Sequence, residues 1–318
     1  MNTLAPAQQT LSVRYCARDF TLSDLATIRT IIASPQNRTR AAIARAVCRD
    51  FNWLKPDGGL KTMSCTVALL RMQADGLIEL PPPAHPAPPA PRPPEFTAAS
   101  DPGPVLMGSR GDLGPLELVR VARPAQSRLW HELISRHHYA GYCRLAGAQL
   151  RYLVYADGRL LAALGFGAAA WSVFDRDEFI GWTPQQREAR LHLIVNNARL
   201  LILPWVKVRF LASSLLGAVA RQLPDDWEAI YRYRPLLLET FVECDRFAGT
   251  SYRAANWRCV GETVGRGKLD RLHNRPTTSF KSVWVYPLHR HFREILRGEF
   301  PPPAVYQPRA DGLPGGRR

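Results

Sequence analysis

The sequence predicts a mixed α/β domain, built on a mixed sheet, preceded by a small winged-helix-like domain. Three observations carry that reading. Apolar residues recur at helical spacing from Thr21 to Leu77, a proline-dense break begins at Pro81, and a hairpin, strand, helix, strand order follows it. Composition places the amino-terminal domain at 1–80, a proline-rich linker at 81–105, the α/β domain at 106–300, and a tail, expected to be disordered, at 301–318.

In the amino-terminal domain Thr21 and Asp24 are spaced for a capping box, in which hydroxyl and carboxylate each take an opposing backbone N–H. Leu22, Leu25, Ile28 and Ile32 then repeat with the period of a first helix. A second runs from Arg40 to Cys48 with Ile43 and Val47 inward. Met63, Val67, Leu70, Ala74 and Leu77 mark the inner face of a third, Gly76 stops it, and Leu77 to Leu80 reads as a short strand. Helix, helix, helix, strand is the winged-helix pattern, whose third helix would present Lys61, Thr62, Ser64, Thr66 and Arg71 to a major groove. A small helical interaction domain has the same pattern without touching DNA.

The linker, PPPAHPAPPAPRPPEF, lacks backbone donors and favours extended polyproline II, a semi-rigid spacer. Beyond it a helix is expected from Leu129 to His138, then a hairpin turning at Asp157-Gly158, because both turn positions need positive φ. Further strands are expected at Leu191–Val195, Leu200–Leu203 and Leu236–Val242. Arg209 to Gln222 is an amphipathic helix with Leu211, Leu215, Leu216 and Val219 on its apolar side. Gly249 to Asn256 makes a short helix and Ser282 to Tyr286 a last strand.

A chain of 318 residues, 46% hydrophobic, is long enough to bury a sizeable core. Its formal charge of +15 points to a polyanionic partner, with nucleic acid ahead of anionic membrane. Cys16, Cys48, Cys65, Cys143, Cys244 and Cys259 form no C-x-x-C pair, which argues against structural zinc and a disulfide framework and for a reduced, cytoplasmic setting. No signal peptide is visible, and no apolar run approaches the roughly 20 residues of a membrane span. The chain is expected to be soluble, with no membrane partner.

Several long words of this sequence agree, in order, with one family. HHYAGY (His137 to Tyr142), RDEFIGW (Arg176 to Trp182), NNARLLILPWVKVRFLASSLL (Asn196 to Leu216) and ETFVECDRFAGTSYRAANWRCVGETVGRGK (Glu239 to Lys268) closely resemble the DruA family of Druantia anti-phage defence systems, as does WLKPDGGLKTMSC (Trp53 to Cys65). The resemblance implies a defence role alongside other defence-system or mobile-element proteins, and a DNA-processing task. A second resemblance concerns fold. VKVRFLASSLLGAVARQL, PLLLETFVE and the spacing Gly249, Tyr252, Trp257 look like GNAT acyltransferases. Those enzymes seat a pyrophosphate on a glycine-rich turn at a helix N-terminus. Arg209-Phe210-Leu211-Ala212-Ser213 has no glycine, so the likeness stops short of the coenzyme.

The residues themselves suggest three chemistries. Between Arg253 and Arg297 bases far outnumber acids, and Arg253, Asn256, Trp257, Arg258, Arg266 and Lys268 are candidates for phosphate neutralisation and base stacking on double- or single-stranded DNA. GETVGRGK is no P-loop, because its glycine spacing is wrong and Leu269 replaces the hydroxyl that would hold magnesium. The acids Asp175, Asp177, Glu239, Glu243 and Asp245 suit a divalent-metal phosphodiester site, with Mg2+ or Mn2+ on Asp177, Glu239 and Glu243. Each is otherwise a salt-bridge acid in a basic protein. His138 is a candidate general base, and Tyr139 or Tyr252 a nucleophile toward phosphate. The leading expectation is a DNA-binding defence component. A strand-cleaving or strand-joining enzyme is the alternative, and an acyltransferase a more distant one.

Overall fold

The computed structural model describes residues 12–84, 96–145, 147–263 and 279–303. Residues 85–95 of the proline-rich linker, most of the tail and the Gly265–Lys268 loop lie outside these residues. The chain divides into two compact units, Met1–Pro91 and Arg92–Arg318.

The first unit opens with an antiparallel hairpin, β1 (Ser12–Tyr15) and β2 (Arg18–Thr21), followed by α1 (Leu22–Ala33), α2 (Arg40–Asp50) and α3 (Thr62–Ala74). The capping box forms as expected: the Thr21 hydroxyl accepts from Asp24 N, and the Asp24 carboxylate accepts from Thr21 N. Thr39 caps α2, which turns Ile43 and Val47 inward. Phe20, Leu25, Ile28, Trp53, Leu69 and Met72 complete the core.

Two expectations are corrected here. The inner face of α3 is Cys65, Ala68, Leu69 and Met72, whereas Met63, Val67 and Leu70 face solvent, Met63 at 77% exposure. The helix is apolar on two faces, and packing against α2 decided between them. Leu77 to Leu80 forms no strand with the described residues. The Leu77 carbonyl accepts from the Arg29 guanidinium at 2.8 and 3.2 Å, and that of Pro81 from Arg40 Nε at 2.7 Å.

The second unit contains β3 (Leu106–Ser109), β4 (Glu117–Arg120), α4 (Pro124–His137), β5 (Leu150–Ala156), β6 (Arg159–Ala168), α5 (Phe174–Ile180) and α6 (Pro184–Arg190). There follow β7 (Ile194–Ile202), β8 (Val206–Arg209), α7 (Leu211–Tyr231), β9 (Leu237–Glu243), α8 (Thr250–Ala254), β10 (Arg258–Glu262), β11 (Lys281–Pro287) and α9 (Phe292–Arg297). Among the described residues seven strands make one mixed sheet in the order β10-β11-β9-β7-β6-β5-β4, and β3 pairs with β8 in a separate parallel ribbon. The β8, α7, β9 order with α8 after it is the GNAT-like arrangement expected.

The hairpin turn has Asp157 at φ 50° and Gly158 at φ 71°, as its sequence requires. α7 runs well past Gln222, through Pro224, because Leu223 and Trp227 continue its buried face. The two strands expected around residues 191–203 are one strand, β7. Its polar middle is accommodated by a bulge against β6 and by the Asn197 amide, which donates to the carbonyls of Gly165 and Arg199 at 3.3 and 3.1 Å.

Among the described residues of this sheet only β7 and β9 run parallel, over Ile194–Leu237, Val195–Leu238 and Asn196–Glu239. Beyond that point each strand follows its other neighbour, β6 or β11. A side chain bridges the parting, with Thr240 Oγ1 donating to the Asn197 carbonyl at 2.9 Å.

Candidate functional site

The place where β7 and β9 part collects most of the sequence-predicted catalytic residues, and it resolves them into three groups. The first closes the gap between the strands. Tyr252 donates its hydroxyl to Asn197 Oδ1 at 2.8 Å and sits edge-on to Trp257, 5.1 Å between centroids. Burial pushes its phenol up to about 12. A hydroxyl so committed and so hard to ionise is a packing group, which corrects its expected role as nucleophile. Trp257 is itself core, 3% exposed between Tyr252 and Tyr286, and is unavailable to stack on a base.

The second group is a buried ion-pair node under the β9 end. Arg176 is fully buried and donates to Glu239 Oε2 at 2.8 Å, to Asp177 Oδ1 at 2.7 and 2.9 Å, and to the Ala170 carbonyl at 2.8 Å. Glu239 Oε1 accepts from Ala170 N, while Asp177 also accepts from Trp182 Nε1 and from Arg187. The oxygens offered to Mg2+ or Mn2+ are thus already taken by cations and N–H groups. Glu243 lies apart, 3.9 Å from the Lys281 ammonium; Asp245 is exposed, and Asp175 packs on the Gly261 backbone. Among the described residues no three His, Cys, Asp or Glu side chains come together to hold an ion. Asp177, Glu239 and Glu243 do not fit the metal set expected of them.

The third group faces outward. α4 ends at His137, and the turn closed by Gly141 N donating to the His138 carbonyl, with Gly141 at φ 60°, projects Tyr139 from the surface. After β9, Arg246 N and Phe247 N both donate to the Glu243 carbonyl, and this turn brings Phe247 to Tyr139, ring centroids 5.1 Å apart. Both rings are largely exposed, at 42% and 47%. The Arg246 guanidinium lies 4.8 Å from the Tyr139 centroid, and the His138 ring stacks on the same tyrosine at 4.7 Å. Arg199 supports the turn from β7, donating to the Gly141 carbonyl and to Cys143 Sγ.

Burial, with Arg199 nearby, lowers the His138 imidazole to about 4. It is neutral at physiological pH, a weak base and a flat ring, which corrects its expected role in proton transfer. Burial and Glu243 raise the Tyr139 hydroxyl. The sequence had marked this tyrosine as a nucleophile. Arg246, Phe247 and Arg199 were missed, although an aromatic beside an arginine, just past a strand end, was the available signal.

The nucleic-acid candidates distribute unevenly. Lys61, Thr62, Ser64 and Thr66 start α3, with Arg71 exposed near its end, and Thr66 Oγ1 is spent on the Thr62 carbonyl. Arg253, Asn256 and Arg258 are exposed around α8 and β10. Arg266 and Lys268 lie outside the described residues. Among these no helix is long and apolar enough to cross a membrane.

Comparison with protein families matches residues 94–278 to the family described as Druantia protein DruA, more than half of the chain. No curated protein matches. Among solved structures, a SpeG spermidine N-acetyltransferase chimera from Vibrio cholerae and hSSAT is similar at 12% identity and TM-score 0.37, over 54% of this chain and 95% of that one. The aminoglycoside acetyltransferase AAC(6')-Ib in complex with coenzyme A follows at 13% and 0.35, over 59% and 100%. An N-acetyltransferase from Staphylococcus aureus Mu50 stands at 9% and 0.33, over 55% and 99%. These likenesses concern chain course and carry nothing about chemistry.

Proposed function

This chain belongs to the DruA family and has a role in Druantia anti-phage defence, and from that premise we propose that it is the nucleic-acid-binding component in which the Tyr139–Phe247 face holds unpaired DNA. The observation that carries the reading is the pair of exposed rings flanked by Arg246. Unpaired bases expose π-faces that stack on such rings, while a duplex hides them. Arg253, Asn256 and Arg258 supply phosphate contacts, within a chain whose formal charge is +15. The amino-terminal unit engages duplex through Lys61, Thr62, Ser64 and Arg71 of α3 and its cap. Other defence-system proteins complete the assembly.

Fluorescence anisotropy with labelled single- and double-stranded oligonucleotides, each at two salt concentrations, tests this. Single strands are expected to bind, and more weakly at the higher salt. Absence of binding, or binding indifferent to salt, would sink the proposal.

A further inference from the structure

We propose that a groove between the first half of α7 and the end of α8 is a second ligand site, one that takes the phosphates of a nucleotide. The groove is open to solvent and holds about 650 Å³, within the size range of small-molecule sites. Arg110, Arg221, Ser213, Ser214, Asn256 and Tyr286 are among the residues that line it. None of its lining residues is a carboxylate. In a protein where Arg176, Arg187, Arg234 and Arg297 are each paired with acids, two arginines lining one groove without one leave positive charge for a ligand to answer.

The two arginines are held differently, and both arrangements favour an anion. Arg110 donates one amino group to the Leu113 carbonyl at 2.8 Å, which fixes its guanidinium while its other N–H groups meet no described residue. Arg221 makes no hydrogen bond or ion pair with a described residue, and its Nη1 reaches back over Gly217, 3.7 Å from where a Cβ would be. A planar guanidinium matches phosphate with two parallel N–H bonds, so each arginine is a ready clamp. At the head of α7, Phe210 is 70% exposed in the left-handed region, at φ 63°. A bulky residue there is uncommon, and this one presents a ring toward solvent.

The site includes neither of the two rings nor Arg246, and it shares Asn256 alone with the phosphate contacts proposed for the strand held there, so the two arginines are what distinguish it. Phosphates reach such a groove on a free nucleotide or on the backbone of a strand, and one experiment separates the two. The 318-residue chain is titrated calorimetrically with ATP, and by anisotropy with a short labelled oligothymidylate. Wild type is compared with Arg110→Ala, Arg221→Ala, Arg221→Glu and Tyr139→Ala, each checked for an unchanged thermal midpoint. ATP binding that falls at least tenfold in Arg221→Ala, and is untouched in Tyr139→Ala, assigns the groove to a free nucleotide. Oligonucleotide binding that falls in Arg110→Ala and Arg221→Ala, without ATP binding, assigns it to a strand. If neither ligand binds, or if neither affinity changes in the arginine variants, the proposal is overturned. A loss confined to Tyr139→Ala would overturn the groove and leave the stacking face standing.

Discussion

Arg176, paired with Glu239 inside β9, and Arg246, just past the end of that strand, have opposite surroundings. Arg176 is sealed from solvent with its N–H groups answered by Glu239, Asp177 and the Ala170 carbonyl. Arg246 lies on an exposed tyrosine beside an exposed phenylalanine, and no ion pair with a described acid holds it. The chemistry of the side chain is the same in both places. A charge balanced within the protein secures the chain, and a charge balanced only by an aromatic face and water is free to meet a ligand. By that criterion the acids paired with Arg176 belong to architecture, and the aromatic turn past β9 is the face proposed for binding.

The largest test of this contrast is Arg176→Met. Removing one member of a buried ion pair strands the other, and costs about 3–5 kcal/mol. Thermal or urea denaturation should show that loss, and a midpoint within error of wild type would break the contrast. Gly249→Ala comes next, because Gly249 connects the Phe247 turn to α8 at φ 67° and a Cβ there would run into the Trp284 ring. Overpacking of this kind costs roughly 1–3 kcal/mol, and here it should lower stability and nucleic-acid affinity together. Tyr139→Ala and Phe247→Ala should do the reverse of Arg176→Met. Stability should stay within about 0.5 kcal/mol of wild type, while single-strand affinity falls by about 1–3 kcal/mol for each ring. Equal loss on single and double strands would show that the rings do not stack on bases.

How much of this was legible depended on whether a residue's role is set locally. The Thr21–Asp24 box and the Asp157–Gly158 turn depend on near neighbours and on φ, and the sequence reports both. The inner face of α3 was misread because Met63, Val67 and Leu70 are as apolar as Cys65, Leu69 and Met72, and only packing against α2 chooses. The acid cluster was misread for a related reason. Asp177 and Glu239 are far apart in sequence, and that one buried arginine joins them is a tertiary fact. The Tyr139–Phe247 pair needed the ends of α4 and β9 to meet, so neither HHY nor CDRF disclosed it alone.

The smallest effect concerns His138, which lies between the two regimes, half-buried yet stacked on the exposed Tyr139. Its imidazole falls from an ordinary 6.5 to about 4 because burial and Arg199 oppose a second positive charge. The unfolded chain therefore binds this proton more readily than the folded one, and stability is lost as pH falls from about 6.5 toward 4. His138→Asn, which carries no titrating group, should lose less stability than wild type across that window when thermal midpoints are compared pH by pH. Parallel curves would mean that His138 titrates normally and is not held neutral. The same variant separates ring from charge. Since the imidazole is already neutral near pH 7, wild type and His138→Asn should show the same pH dependence of single-strand binding between about pH 6 and 8. A wild-type affinity that climbs alone toward pH 6 would make His138 a phosphate-binding cation and move it to the side of Arg246.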